Sequence, residues 1–206
     1  MTDYCTVAMV KRQLGIGVTG TINTVDDDLI AVYVTEASQL IATECMRPFS
    51  ETVDTLFYDA AYPVVNNNIL YFDQDFLGVD AVWNGANGTL NPSFYRLLPP
   101  NFSPKYGLQL LVKSNAVWVV GNDGFAQNAI GVAGTTGYCL SANRPADITL
   151  AATKLAAWLY QTRDSDGSTV QIATGAIAIP ANAPTFVLRT ISKYVRRVAY
   201  SEASFT

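Results

Sequence analysis

DDDLIAVYVTEASQLIATECMRPF, residues 26–49, sets Ile30, Tyr33, Val34, Ala37, Leu40, Ile41 and Cys45 at steps of three and four. That spacing places them on one face of a helix, because about 3.6 residues complete a turn. Thr24 and the run Asp26, Asp27, Asp28 supply capping oxygens and negative charge where a helix N-terminus favours them. Pro48 closes the element, since proline disfavours helical dihedrals at the residue before it. A helix over 25–47 is therefore expected, and its apolar face needs partners.

Upstream, a shorter helix over 6–14 has Thr6 as N-cap and Val7, Val10 and Leu14 on its inner face, and the glycines of GIGVTG (15–20) stop it. That hexamer matches G-x-G-x-x-G, yet the dinucleotide fingerprint works only between a strand and the helix whose N-terminus holds the pyrophosphate. Here it follows a helix and reads as a connection.

Downstream the character changes. From 52 to 141, short apolar runs rich in β-branched and aromatic residues alternate with Asn, Gly and Pro, as strands and turns require. Strands are expected at 54–59, 68–73, 78–84, 93–98, 107–113, 116–120 and 136–140, with a hairpin-like turn at Asn84–Gly88. Gly121–Gly137, rich in Gly, Asn and Ala, reads as a loop, mobile or ordered by a partner. After Pro145 the helical period returns: Ile148, Ala151, Ala152, Leu155, Trp158 and Leu159 share a face of a helix over 145–163. TVQIATGAIAIPA (169–181) then forms an apolar arm, with Ile172, Ile177 and Ile179 placed to lie against a neighbour or the core. A last helix over 184–198 separates Phe186, Val187, Ile191, Tyr194 and Val198 from Arg189, Lys193, Arg196 and Arg197. The expected fold is α+β: an α-helical bundle with a β-rich insertion over 52–141 and an extended C-terminal arm ending in a helix. Residues 1–168 make one domain and 169–206 the arm and helix.

Half of the residues are hydrophobic and only 15% are charged, against about 25% in ordinary soluble domains, which points to surface buried against other chains. No apolar run reaches the roughly 18 residues of a membrane span, and the N-terminus carries no secretory pattern, so a cytoplasm-like compartment is expected. Cys5, Cys45 and Cys139 form neither a disulfide framework nor a CxxC site and read as small buried apolar residues. Residues 1–88 hold 3 Lys and Arg against 12 Asp and Glu, whereas 89–206 hold 10 against 5. Such a split suits a subunit whose acidic face meets the basic face of the next copy in a head-to-tail ring, and equally a segregated solvated surface.

The sequence contains no histidine, which removes Ser-His-Asp and Cys-His catalysis, histidine-ligated metals and the commonest general base. Nothing in it requires a cofactor or a metal. Asp73 and Asp75, two apart in FDQDF, would share one face of an extended strand and could serve a glycan-hydrolysing or glycan-binding module together with Tyr71, Trp83 and Trp118. As a rule such acids sit at strand ends and such aromatics in cores. Arg189, Lys193, Arg196 and Arg197 are spaced to share a broad helical face, able to meet DNA phosphates, an acidic neighbour or solvent. A sequence pI near 4.7 argues against a free nucleic-acid binder.

In order, a short helix ending in LGI, then DDDLIAVYVTEASQLIATECMRPF, a strand-rich middle with SFYRLLP and YGLQLLV, and PADITLAATKLAAWLYQTRDS resembles the head-to-tail connector, or adaptor, proteins of tailed bacteriophages. The resemblance covers about residues 5–165. It implies a structural, non-enzymatic virion subunit that forms a ring, twelvefold in that family. The portal protein would dock on one side and a neck or tail-completion protein on the other, and the lumen would pass DNA with non-specific contacts. Localisation would be the virion neck, reached from the host cytoplasm. The longer middle region and the 169–181 arm depart from the simplest members. A tail-completion or minor capsid protein is the alternative within the same class.

Overall fold

In the computed structural model the chain forms helices α1 (Val7–Leu14) and α2 (Asp27–Cys45), then strands β1 (Thr52–Tyr58), β2 (Val65–Asn66), β3 (Ile69–Asn84), β4 (Tyr95–Leu98), β5 (Lys105–Leu110) and β6 (Ile130–Thr136). Helix α3 (Ala146–Thr162), strands β7 (Ile172–Ala173) and β8 (Ala176–Ile177), and helix α4 (Thr185–Tyr194) follow. The structure describes residues 2–16, 24–61, 64–163, 172–173, 176–177, 179 and 182–196. The protein is mixed α/β and divides into two compact units, one holding Met1–Phe49 with Ser141–Arg196, the other, in its described part, Ser50–Leu140. The acidic and basic halves of the sequence are thus not separate bodies, because the helical unit draws on both.

In the helical unit, α3 packs on α1, α2 and α4. Its buried Ala151, Ala152, Ala156 and Ala157 keep its surface low, so neighbouring helices come close, while Ile148, Leu155 and Leu159 fill the space between them. The Thr6 hydroxyl accepts from the Met9 N–H and caps α1, and Gly15, at φ 74°, ends it in the left-handed conformation that glycine adopts without strain. Helix α2 buries Ile30, Val34, Ala37, Leu40, Ile41 and Cys45, the expected face.

One expectation fails at its start. Asp26 holds the N-cap position without a capping bond; its Oδ2 accepts instead from the Tyr160 hydroxyl at 2.8 Å, and Asp27 Oδ1 pairs with Lys11 Nζ at 2.7 Å. Both carboxylates tie helices together. The hydrogen bond to Asp26, and then burial, raise the Tyr160 pKa.

A joint of aromatic groups and one arginine closes this unit. The Phe49 N–H donates to the Tyr4 hydroxyl at 2.8 Å, and the Phe49 ring meets those of Tyr4 and Tyr194 edge-on at 5.7 and 5.5 Å. Arg144 lies 4.6 Å from the Tyr4 ring centroid and donates to the carbonyls of Phe49 and Asp3, both at 3.0 Å. Residues 141 positions apart are held by one guanidinium.

The second unit is one antiparallel sheet in the order β1-β6-β3-β5-β4, with β2 added to β3. Strand β3 pairs through its first part with β5 and through its second with β6, and register shifts after Tyr71, Phe76 and Val79 bend it between the two. The strands expected at 68–73 and 78–84 are therefore one. Tyr58, Leu70, Phe72, Phe76, Val82, Leu108, Leu110, Ile130 and Val132 form its core, with Phe72 and Phe76 ring centroids 4.6 Å apart.

Three more readings are overturned here. The segment 121–137 is not a loop throughout: Ile130–Thr136 is β6, an interior strand whose Ile130 and Val132 enter the core. Its glycines serve packing, for a Cβ on Gly134 would collide with the Gly78 carbonyl oxygen and stand 2.9 Å from Val79 Cα. Conversely, 116–120 is no strand. The Asn84 side chain takes its backbone, donating to Val117 O at 2.8 Å and accepting from Val119 N at 3.0 Å, and Ala86 N reaches Val120 O. The strand expected at 136–140 is likewise absent beyond Thr136. Asn84–Gly88 does turn the chain, with Trp83 bridged to Thr89.

Candidate assembly surfaces

Pro184 precedes α4, whose Val187, Thr190 and Ile191 are buried and whose other side carries Phe186, Arg189 and Lys193. Arg189 and Lys193 are exposed one turn apart. Lys193 Nζ lies 3.9 Å from Asp147 Oδ2, and Asp147 Oδ1 accepts from the Tyr194 hydroxyl at 2.9 Å. Lys154 of α3 reaches over the Phe186 ring, 4.5 Å from its centroid. Arg196 does not share this face: it follows the end of α4, is only 6% exposed, and its backbone N–H donates to Cys45 O at 2.9 Å. Arg197 lies outside the described residues. A helical period run on past Tyr194 had joined all four.

Of the arm, Ile172–Ala173 pairs with Ala176–Ile177 as an antiparallel hairpin. Ile179 is half-buried, and its N–H donates to Glu44 Oε1 at 3.1 Å, near the end of α2. The side chains of Ile172 and Ile177 lie outside what the structure describes.

A face that the sequence reading passed over is on α2 itself. Leu29 and Val32, three apart, point away from the helical core at 39% and 61% exposed, and Val25, 87% exposed, stands in the turn just before the helix. Asp28 is exposed on the same side, and Glu36, one turn on, is half-buried with its pKa raised by desolvation. A helix apolar on two sides expects partners on both; the signal was present in the sequence, masked by the stronger inner stripe. Between α1 and α3 a groove of about 300 Å³ is lined by Met9, Arg12, Gln13, Ala146, Thr149, Leu150 and Thr153.

The strand unit presents Val53, Phe57 and Trp83 on one side of β1-β6-β3, where Phe57 and Trp83 flank Gly131 in register. Phe102, 74% exposed, stands on a loop organised by Lys105, whose ammonium donates to the carbonyls of Pro99, Pro100 and Phe102. Asp73 is exposed while Asp75 is 3% exposed, because the register shift after Tyr71 breaks the alternation that would have aligned them. Trp118 is packed against the core. Among the described residues no group of three His, Cys, Asp or Glu is placed to hold a metal, and no helix is long and apolar enough to cross a membrane. Burial pushes the Cys5 thiol up to about 11 and the Cys45 thiol up to about 12, so both stay protonated.

No protein-family model and no curated protein matches the sequence. Solved structures do. The chain is similar to one in the neck of an empty gene transfer agent (GTA) particle computed with C6 symmetry, at 16% identity, TM-score 0.62, over 94% of this chain and 91% of that one. A chain of the virion of a native GTA particle matches at 18% identity and TM-score 0.59 over the same shares. A third, from the neck of a native GTA particle computed with C12 symmetry, matches at 16% identity and TM-score 0.57 over 94% of this chain and 90% of that one. With near-complete coverage in both directions at these TM-scores, this chain has the fold of chains found in those particles.

Proposed function

We propose that this protein is a structural subunit of a virion neck, an adaptor that forms a ring joining the portal to the neck or tail around the DNA channel. It binds a portal protein on one side and a neck or tail-completion protein on the other. Twelve copies would match the C12 symmetry of one of the neck structures and the resemblance of the sequence to phage connectors. The observation that carries this reading is the fold likeness to neck chains over 94% of the sequence. The disposition of polar groups supports it, since Asp26, Asp27 and Arg144 serve joints of the helical unit, Arg189 and Lys193 lie on an open surface, and Asp73 is exposed while Asp75 is buried. The protein acts by packing, without catalysis. Exposed Val53, Phe57, Val32 and Phe102 supply apolar area for such contacts at roughly 25 cal/mol per Å² buried, before ordering costs.

Deleting the gene from the particle that encodes the protein tests this. DNA-filled heads and separate, complete tails are the expected products. Intact tailed particles lacking the protein would refute the proposal.

A further inference from the structure

The outer faces of α2 and α4 are complementary in kind. On α2, Leu29 and Val32 are flanked by carboxylates, Asp28 before them and Glu36 after, over about 12 Å of helix at 1.5 Å per residue. On α4, Phe186 is surrounded by cations, with Arg189 and Lys193 on its own helix and Lys154 over its ring. No side-chain hydrogen bond or ion pair satisfies Asp28, Glu36 or Arg189 among the described residues, and Lys193 has only the distant Asp147 oxygen. A half-buried carboxylate beside valine and leucine is costly to leave without a cation, and desolvation by burial already raises the Glu36 pKa. Apolar centres of this size, one ringed by acid and the other by base, fit each other better than either fits water.

We infer that the Asp28–Leu29–Val32–Glu36 face of α2 packs against the Phe186–Arg189–Lys193 face of α4 on a second copy of this chain. The inference rests on the ring reading in requiring a second copy. Two different patches meeting in this way give a head-to-tail contact, which closes into a ring when the rotation between copies divides a full turn. It also returns the sequence's charge split in a local form: an acidic helix from the first half meets a basic helix from the second.

The test compares the mass of the full-length chain, by sedimentation and native mass spectrometry over a concentration series, for the wild type, Glu36→Arg, Arg189→Glu and an equimolar mixture of the two variants. Wild type is expected to associate. Each variant places like charges opposite one another and should weaken association by about tenfold or more. The mixture should recover it, because each Arg introduced at 36 then faces a Glu introduced at 189. Val32→Asp, at an exposed position, should weaken association with unchanged circular dichroism. Variants that assemble like the wild type, or a mixture that fails to recover, overturn the contact while leaving the neck proposal standing. A chain that is monomeric in every form also overturns it, and the gene deletion then decides the neck proposal separately. Loss of duplex DNA binding in Arg189→Glu with unchanged mass would assign that face to the channel lumen instead.

Discussion

The helical unit is closed by parts of the chain far apart in sequence, and the strand unit, in its described part, is one continuous insert. In the first, Arg144, Tyr4, Phe49 and Tyr194 join the start, the two junctions with the insert and the last helix. In the second, the strands between Ser50 and Leu140 pair with one another, and tolerance is set by how closely β6 lies against β3. The comparison teaches where each is fragile: the strand unit at one interior strand, the helical unit at one polar joint.

The largest effect should come from Gly134→Val. The added side chain meets the Gly78 backbone, which cannot give way without opening the β3–β6 pairing, so a loss of about 3 kcal/mol or more in urea unfolding is expected. A loss under about 1 kcal/mol would mean the two strands are not held so tightly. Arg144→Ala removes two hydrogen bonds from a charged donor and a ring contact, and should cost about 2 kcal/mol, read in the melting of the helical signal. If Arg144→Ala weakened only the strand unit, the assignment of this joint would be wrong.

Smaller effects sharpen the picture. The Cys45 thiol has its folded pKa raised to about 12 from 9.0 by burial, so the unfolded chain ionises first. Its contribution is intact below pH 9 and declines as pH rises from there toward 12, by about 1 kcal/mol between pH 9 and 10. Cys45→Ala should flatten that part of the stability profile; an unchanged slope would contradict the burial. Finally, Met46 ends α2 in the left-handed conformation at φ 51° with its side chain exposed, so Met46→Gly should stabilise the helical unit by up to about 1 kcal/mol.

The two units also differ in how far their sequences disclose them. In α2 the buried Ile30, Val34, Ala37, Leu40, Ile41 and Cys45 repeat within one element, so periodicity alone finds them. In the sheet the deciding facts lie across strands. Gly131 and Gly134 look like loop residues until Phe57 and Trp83 are seen opposite the first and the Gly78–Val79 backbone against the second. VWVV at 117–120 looks like a strand until the Asn84 side chain is seen occupying its backbone. Of the candidate surfaces, Arg189 and Lys193 follow from spacing, whereas the burial of Arg196 depends on where α4 stops, and the stop at Val195 has no signal in the residues themselves. The outer stripe of α2 was legible by the same rule as the inner one.

Cryo-electron microscopy of the neck in the particle that encodes this chain tests the central claim most directly. The account predicts a closed ring of copies between head and tail, with helices α1 to α4 and the inserted sheet of each copy recognisable in the density. A neck built of other chains, with this protein elsewhere in the particle or absent from it, would contradict it.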